Sequence, residues 1–167
     1  MVAPGDVAWG PLELSKCKTV GEGDYELMMD HVTVKLRDIV LSRNQSFGIA
    51  SYVSTADRFV LGQDMVLIQE GLATTTYLYL ALRSQFVQRQ IASLAMGSTF
   101  KRINLGDIRK LKIPVPMPAV EDAASSLMAA FEVSGRLLEE KIDSATGLYS
   151  NLLNHGLNKH EGGVCVY

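Results

Sequence analysis

The sequence lacks most features of a secreted, membrane-spanning or metal-binding protein. Its two cysteines, Cys17 and Cys165, lie far apart and have none of the spacing that zinc ligands require. We therefore interpret both as free thiols in a reducing compartment. No apolar run approaches the roughly 20 residues that cross a bilayer. The start, MVAPGDVAWG, lacks the basic and apolar regions of a signal peptide, so we expect a cytoplasmic protein.

Catalytic motifs are missing as well. Gly21 and Gly23 are followed by Glu26, where the dinucleotide-binding fingerprint needs a third glycine. The sequence contains no Walker-type phosphate loop and no Gly-x-Ser-x-Gly elbow. Metal-ligand spacing is absent for all three histidines: His31, His155 and His160. We therefore predict that this chain is not an enzyme by itself and that it has no cofactor and no metal.

Positive charge is scarce overall but is concentrated in one segment. The chain carries 16 basic and 18 acidic residues, yet residues 83–118 carry seven basic residues and a single acid, Asp107. A local positive field matters more than net charge when the partner is a phosphate backbone. This segment therefore indicates either a nucleic-acid-binding surface or a solvated basic face without a partner.

Short apolar runs in the first half predict a sheet. Residues 32–40 alternate between apolar and polar side chains, as a half-buried strand does, and a polar loop, SRNQSFG, follows. The runs IASYV and FVLGQDMVLIQ predict further strands. From residue 74 to 95 the apolar spacing changes to that of one amphipathic helix, which Gly97 could end. INLGDIRKLKIPV then resembles a turn followed by a strand.

Proline is also scarce, and three of the five prolines fall at positions 114, 116 and 118. They predict an extended exit from the first domain. Beyond them a stripe with spacings of 3 and 4 residues predicts a coiled-coil-type helix over residues 119–156. Its apolar positions include Leu127, Phe131, Leu138, Ala145, Leu148 and Leu152. The helix must cover this stripe, either against its own domain or against an outside partner, and its length and the proline exit favour the partner.

The predicted fold class is therefore α+β. We expect a small mixed or antiparallel β-rich domain with a packed helix over residues 1–118, a long C-terminal helix over residues 119–156, and a disordered tail over residues 157–167.

In this order and spacing, the motifs resemble a known family. VKLRDIVLSRNQSFGIASYV is similar to the strand–loop–strand of the DNA-specificity subunit of type I restriction–modification systems. TTYLYLALRSQFVQRQIASLAMGSTFKRINLGDIRKLKIPVPMP resembles its helix, its Gly-Ser/Thr loop and its proline exit, and the long helix resembles its spacer helix. The sequence departs from the family at Arg37, where glycine is usual, and at Glu121-Asp122, where Glu-Gln is usual. Residues 1–30 match poorly.

The resemblance implies a non-catalytic target-recognition domain that reads half of a split site on double-stranded DNA. It implies that the spacer helix docks a modification subunit, which methylates adenine, and that a restriction subunit can join the complex. A complete specificity subunit has two recognition domains, whereas this chain has room for one. We therefore expect either a half-subunit that forms a homodimer through its long helix or a fragment of a longer subunit.

The resemblance also implies where DNA would bind. The basic segment would attract phosphates through Gly97, Ser98, Thr99, Lys101, Arg102, Lys110 and Lys112. The polar loop would read bases through Arg43, Asn44 and Gln45, because arginine suits guanine and Asn or Gln suits adenine, with Ser42 and Ser46 assisting. The loop could instead be an ordinary polar turn. Two other functions stay open: an interaction module that binds modification subunits without reading DNA, and an unrelated coiled-coil adaptor.

Overall fold

The computed structural model describes residues 1–29, 33–46, 48–95 and 102–158. After a short 3₁₀ turn at Pro4–Asp6, the elements follow in chain order. They are β1 (Gly10–Pro11), α1 (Glu22–Met29), β2 (Ile39–Ser42), β3 (Ala50–Tyr52), β4 (Met65–Ile68), α2 (Thr75–Arg83), α3 (Gln85–Ala95), α4 (Leu105–Ile108) and α5 (Pro118–Asn158). The mixture of a four-stranded sheet with helices, and the long C-terminal helix, confirm the predicted α+β class.

The sheet is built around β2. The strand order is β1-β3-β2-β4, with β2 antiparallel to both of its neighbours and β1 parallel to β3. All four residues of β2 are buried. Alternate residues of a strand point to opposite faces, so Val40 faces one side of the sheet while Ile39 and Leu41 face the other. The sheet is therefore covered on both faces at its centre.

The N-terminal residues form part of this core, although they match the family poorly. Val2, Val7 and Leu12 are buried in one cluster with Val40 and Val53. Val2 also forms a bridge with Leu61, and its amide donates to the carbonyl of Val60 at 2.9 Å. This segment therefore completes the domain.

Aromatic rings connect the start of the chain to α2. The rings of Trp9 and Tyr52 both contact that of Tyr79 edge to face, with centroid distances of 5.9 Å and 5.2 Å. Such pairs add about 0.5–1.5 kcal/mol beyond the area that they bury. The guanidinium of Arg83 lies over the Trp9 ring at 5.5 Å. Burial raises the pKa of the Tyr79 hydroxyl, so this phenol stays neutral at physiological pH.

The strand predicted over residues 32–40 starts late. Residues 36 and 37 form a turn, and β2 begins only at Ile39. The Asp38 carboxylate accepts from the amide of Lys35 at 2.8 Å and from the side chain of Gln69 at 2.9 Å, which favours a turn over a strand. Arg37 has a φ of +73°, a conformation that glycine adopts without strain. The glycine that is usual at this position in the family fits this backbone.

The single helix predicted over residues 74–95 is two helices. Ser84 is extended, with φ −63° and ψ 147°, and it separates α2 from α3. Its hydroxyl donates to the carbonyl of Ala81 at 2.6 Å and accepts from the amide of Val87 at 3.3 Å. A serine that caps both helix ends explains the break. The strand expected after INLGDIRK is likewise not formed: residues 105–108 are α4, and residues 111–117 have no regular structure.

The chain divides into two compact units, residues 1–125 and 126–167. Helix α5 begins at Pro118 and is described as far as Asn158, so it runs about 60 Å at about 1.5 Å per residue. The expected boundary of a recognition domain at residue 118 stays a prediction. Of the disordered tail predicted over residues 157–167, the first two residues belong to α5, and residues 159–167 lie outside the described residues.

Gly48 closes the turn between β2 and β3, and a side chain there should destabilise the domain. Its φ is +78°, and a Cβ atom would lie 2.5 Å from Cγ2 of Ile91. We expect Gly48→Ala to lower the free energy of unfolding by about 2–4 kcal/mol, measured by urea denaturation. Gly71→Ala is the control, because a Cβ atom there meets nothing within 4 Å. Equal effects of the two substitutions would contradict this packing.

Candidate nucleic-acid interface

The polar loop predicted to read bases leaves directly from the end of β2. It is closed by main-chain bonds: the amide of Ser42 donates to the carbonyl of Ile49 at 2.9 Å, and the amide of Gly48 donates to that of Ser42 at 2.8 Å. From α3, the side chain of Gln88 donates to the carbonyls of Gly48 at 3.2 Å and Leu82 at 2.7 Å. The loop is therefore anchored to both the sheet and the helices.

The end of the basic segment lies beside this loop. The amide of Ile103 donates to the carbonyl of Arg43 at 2.9 Å, and Nε of Arg43 donates back to the carbonyl of Ile103 at 3.0 Å. Asn44 and Arg102 form an isolated antiparallel bridge. Two regions about 60 residues apart in the chain are thus joined, so the structure brings the loop and Arg102 to one place.

An acidic residue, Asp64, lies at the centre of this junction. One carboxylate oxygen, Oδ1, lies 2.5 Å from Nη2 of Arg102 and 3.9 Å from Nη2 of Arg43. The other, Oδ2, accepts from the side-chain amide of Asn44 at 3.3 Å. The main-chain carbonyl of Asp64 also accepts from the amide of Arg43 at 2.9 Å. Asp64 therefore contacts Arg43, Asn44 and Arg102.

The loop side chains differ in how deeply they are buried and in whether they bond within the protein. Ser42 is fully buried, and its hydroxyl donates to the carbonyl of Asn44 at 2.7 Å. Only 16% of the Arg43 side chain is exposed. Ser46 donates to the carbonyl of Pro4 at 2.7 Å. In this conformation all three side chains donate to main-chain carbonyls and so stabilise the loop.

Among the loop residues that the structure describes, Gln45 is the exposed one. Its φ is +55°, and its amide donates to Oδ1 of Asn44 at 2.8 Å. Asn44 is half-buried, and both ends of its amide group have partners in the protein. The loop therefore presents Gln45 to solvent and uses Asn44 to hold it.

The basic candidates are placed unequally. Half of the Arg102 side chain is exposed. Lys110 is 79% exposed and lies 3.4 Å from Oδ1 of Asp107, whereas the main chain of Lys112 exchanges two bonds with the side chain of Gln90, at 2.9 Å and 3.0 Å. Among the described residues, neither lysine has a hydrogen bond or an ion pair with the loop. The other four candidates lie outside the described residues: Gly97, Ser98, Thr99 and Lys101.

Two residues of this site were missed from the sequence. Asp64 falls inside a run that predicts a strand, and Gln88 falls inside the run that predicts a single helix. A positive φ of 66° at Asp64 marks the turn before β4, and the Gly-Gln-Asp series at 62–64 is the signal that could have indicated this turn. Nothing local indicates the distant partners of either residue.

The apolar stripe of α5 is exposed along the helix. Its five large apolar side chains are between 46% and 72% exposed, and Ala145 is exposed as well. The residues are Leu127, Phe131, Leu138, Leu148 and Leu152. A row of exposed large apolar side chains on this scale marks an interaction surface.

The described part of the chain contains neither a candidate metal site nor a candidate membrane span. Within residues 1–29, 33–46, 48–95 and 102–158, no three acidic, histidine or cysteine side chains are grouped so that they could hold a metal ion. Over the same ranges, no helix has both the length and the apolar character that a membrane span needs.

The contacts of Arg43 and Arg102 predict different costs of removal. Arg43→Met keeps the aliphatic stem but leaves the carbonyl of Ile103 without its side-chain donor, so we expect a loss of about 1–3 kcal/mol. Arg102→Met removes a half-exposed ion pair, so we expect a loss of about 0–1 kcal/mol. Urea denaturation measures both. A larger loss for Arg102→Met would show that the two roles are reversed.

Comparison with protein families agrees with this geometry. A family model described as the type I restriction modification DNA specificity domain matches residues 23–143. The match includes the polar loop, Asp64, Arg102 and the first part of α5. No curated protein matches the chain. Because the family match covers well over half of the sequence, the chain belongs to the type I restriction modification DNA specificity domain family, as its motifs predicted.

Proposed function

We propose that this chain is the DNA-recognition subunit of a type I restriction–modification complex and that it catalyses no reaction itself. It would read one half of a bipartite site on double-stranded DNA. The observation that carries the proposal is the junction of the polar loop with Arg102, in a chain of the DNA specificity family. A base-reading loop and a phosphate-binding segment must lie together to contact one stretch of DNA.

The residues divide into two roles. Arg102, with Lys101 and the Gly97–Thr99 series, would contact phosphates and supply attraction that is independent of sequence. Lys110 and Lys112 would add to the positive field from a greater distance. Gln45 would contact base edges, because a glutamine amide can donate to and accept from adenine in the major groove. Arg43, Ser42 and Ser46 would hold the loop in shape.

Helix α5 would serve assembly. Its exposed stripe suits a second helix, supplied by another copy of this chain or by the modification subunit that methylates adenine. In an antiparallel pair about 60 Å long, two recognition domains would lie more than one DNA turn of about 34 Å apart. A homodimer would then read a palindromic split site, because a twofold axis repeats the same contacts. A restriction subunit could join such a complex.

A second candidate function is an interaction module that binds modification subunits without reading DNA. The exposed stripe of α5 and the formal net charge of −2 favour it. The two candidates differ in whether the chain retains duplex DNA at an ionic strength of about 0.15 M.

Loss of Arg102 and of Lys101, which precedes it in the sequence, should weaken binding to all sequences alike. We expect the full chain to bind duplex DNA, and Lys101→Ala with Arg102→Ala to lower its affinity about 3–30-fold and to flatten the salt dependence by about one to two ions. Fluorescence anisotropy at several salt concentrations measures both. The control is Arg136→Ala, which removes a like charge from the face of α5 opposite Leu127. No binding by the unaltered chain would favour the interaction module.

Charges in the apolar stripe of α5 should prevent association. Leu127, Leu138 and Leu148 are 46%, 60% and 66% exposed, so lysine at these positions should leave the first unit folded. We expect the triple Lys variant to be monomeric by light scattering and to select single half-sites from random duplexes, where the unaltered dimer selects palindromic pairs. Control substitutions on the opposite face are Arg136→Lys and Asp143→Lys. A triple variant that still associates would contradict the helix-pair proposal.

A further inference from the structure

Asp64 is an acidic residue placed at the centre of a surface that should attract DNA. Its side chain is only 16% exposed, and it contacts Arg43, Asn44 and Arg102 at once. A carboxylate at this position lowers the positive field of the surface. Its role must therefore be something other than attraction of phosphates. Its φ of +66° is one that Asp and Asn tolerate better than most residues.

A chain of two hydrogen bonds leads from Asp64 to the exposed residue of the loop. Oδ2 of Asp64 accepts from Nδ2 of Asn44 at 3.3 Å, and Oδ1 of Asn44 accepts from the main-chain amide of Gln45 at 2.8 Å. The first bond fixes which way the Asn44 amide points. The second holds Gln45 in its left-handed backbone conformation, with a φ of +55°. The orientation of Gln45 thus depends on the carboxylate of Asp64.

The same carboxylate also restrains the arginines. The guanidinium of Arg102 lies 2.5 Å from Oδ1 of Asp64 while half of the side chain is exposed. Paired in this way, Arg102 is less free to follow phosphates on any DNA sequence. Binding that is independent of sequence grows with the number of phosphates that the protein neutralises. This ion pair therefore lowers the sequence-independent affinity more than the affinity that comes from base contacts.

We propose that Asp64 is a positioning residue that sets the sequence discrimination of this surface. It orients Gln45 through Asn44 for contact with a base, and it restrains Arg102 so that attraction to phosphates does not mask that contact. Discrimination depends on the ratio of specific to non-specific affinity, and Asp64 acts on both members of the ratio. The inference rests on the proposed function, namely that the loop and Arg102 contact DNA.

The variant that tests this is Asp64→Asn. Asparagine keeps the size of the side chain and its tolerance of a positive φ, but it removes the charge. Glu13→Gln is the matched control, because it removes the same charge from an exposed residue that has no described side-chain contact with the loop. Gln45→Ala tests the residue at the end of the chain of hydrogen bonds.

The probes are a pool of duplexes of random sequence, from which the unaltered full chain selects its preferred duplex, and a scrambled duplex of the same composition. We expect Asp64→Asn to raise the affinity for the scrambled duplex about 2–10-fold and to steepen the salt dependence by about one ion. The affinity ratio of preferred to scrambled duplex should fall about 10-fold. Gln45→Ala should lower this ratio without raising the affinity for the scrambled duplex, and Glu13→Gln should leave the ratio unchanged.

The direction of the change separates positioning from simple structural support. A destabilised Asp64→Asn protein would lose affinity for both duplexes equally, and that result would overturn the inference. An unchanged ratio, with Gln45→Ala lowering it, would overturn the role of Asp64 while leaving the proposed function intact. Failure of the unaltered chain to bind either duplex would remove the proposed function and this inference together.

Discussion

The pairing of β2 with strands on both sides is the constraint on which the rest of the first unit depends. All four residues of β2 are buried, and the strand bonds to β3 on one side and to β4 on the other. The loop that presents Gln45 leaves from its last residue, Ser42, and Asp64 immediately precedes β4. The candidate DNA surface therefore extends directly from the hydrogen-bonded centre of the sheet. The buried residues of β2 fix its position.

Four side chains of the loop already have partners within the protein. Arg43, Ser42, Asn44 and Ser46 all use side-chain groups within the protein, at the carbonyls of Ile103, Asn44 and Pro4 or at Asp64. Ordering such side chains on binding would cost about 0.5–1.5 kcal/mol each, and here that cost is already met in folding. Under the proposed function, this preorganisation would leave the exposed Gln45 available for contact with a base.

The sequence predicted the parts of this structure that depend on local spacing. The fold class and the long helix followed from periodicity, since residues three and four apart share one helix face whatever they contact. The late start of β2 did not follow from periodicity, because the bond from the Lys35 amide to the Asp38 side chain competes with strand pairing. The break at Ser84 did not follow from it either, because one hydroxyl bonds to the ends of two helices. The junction of Asn44 with Arg102 depends on tertiary packing, which no local pattern encodes. The family resemblance indicated what the spacing could not: glycine is usual at position 37, and Arg37 has a φ of +73° there.

The closure of the loop by main-chain bonds has a consequence for how such a surface can change over generations. The bonds from Ser42 to Ile49 and from Gly48 to Ser42 use backbone groups, so they persist when the side chain at position 45 is replaced. The exposed position can therefore accumulate substitutions while the scaffold retains its stability. If this loop reads bases as proposed, its contacts with DNA could change at position 45 while the fold is retained.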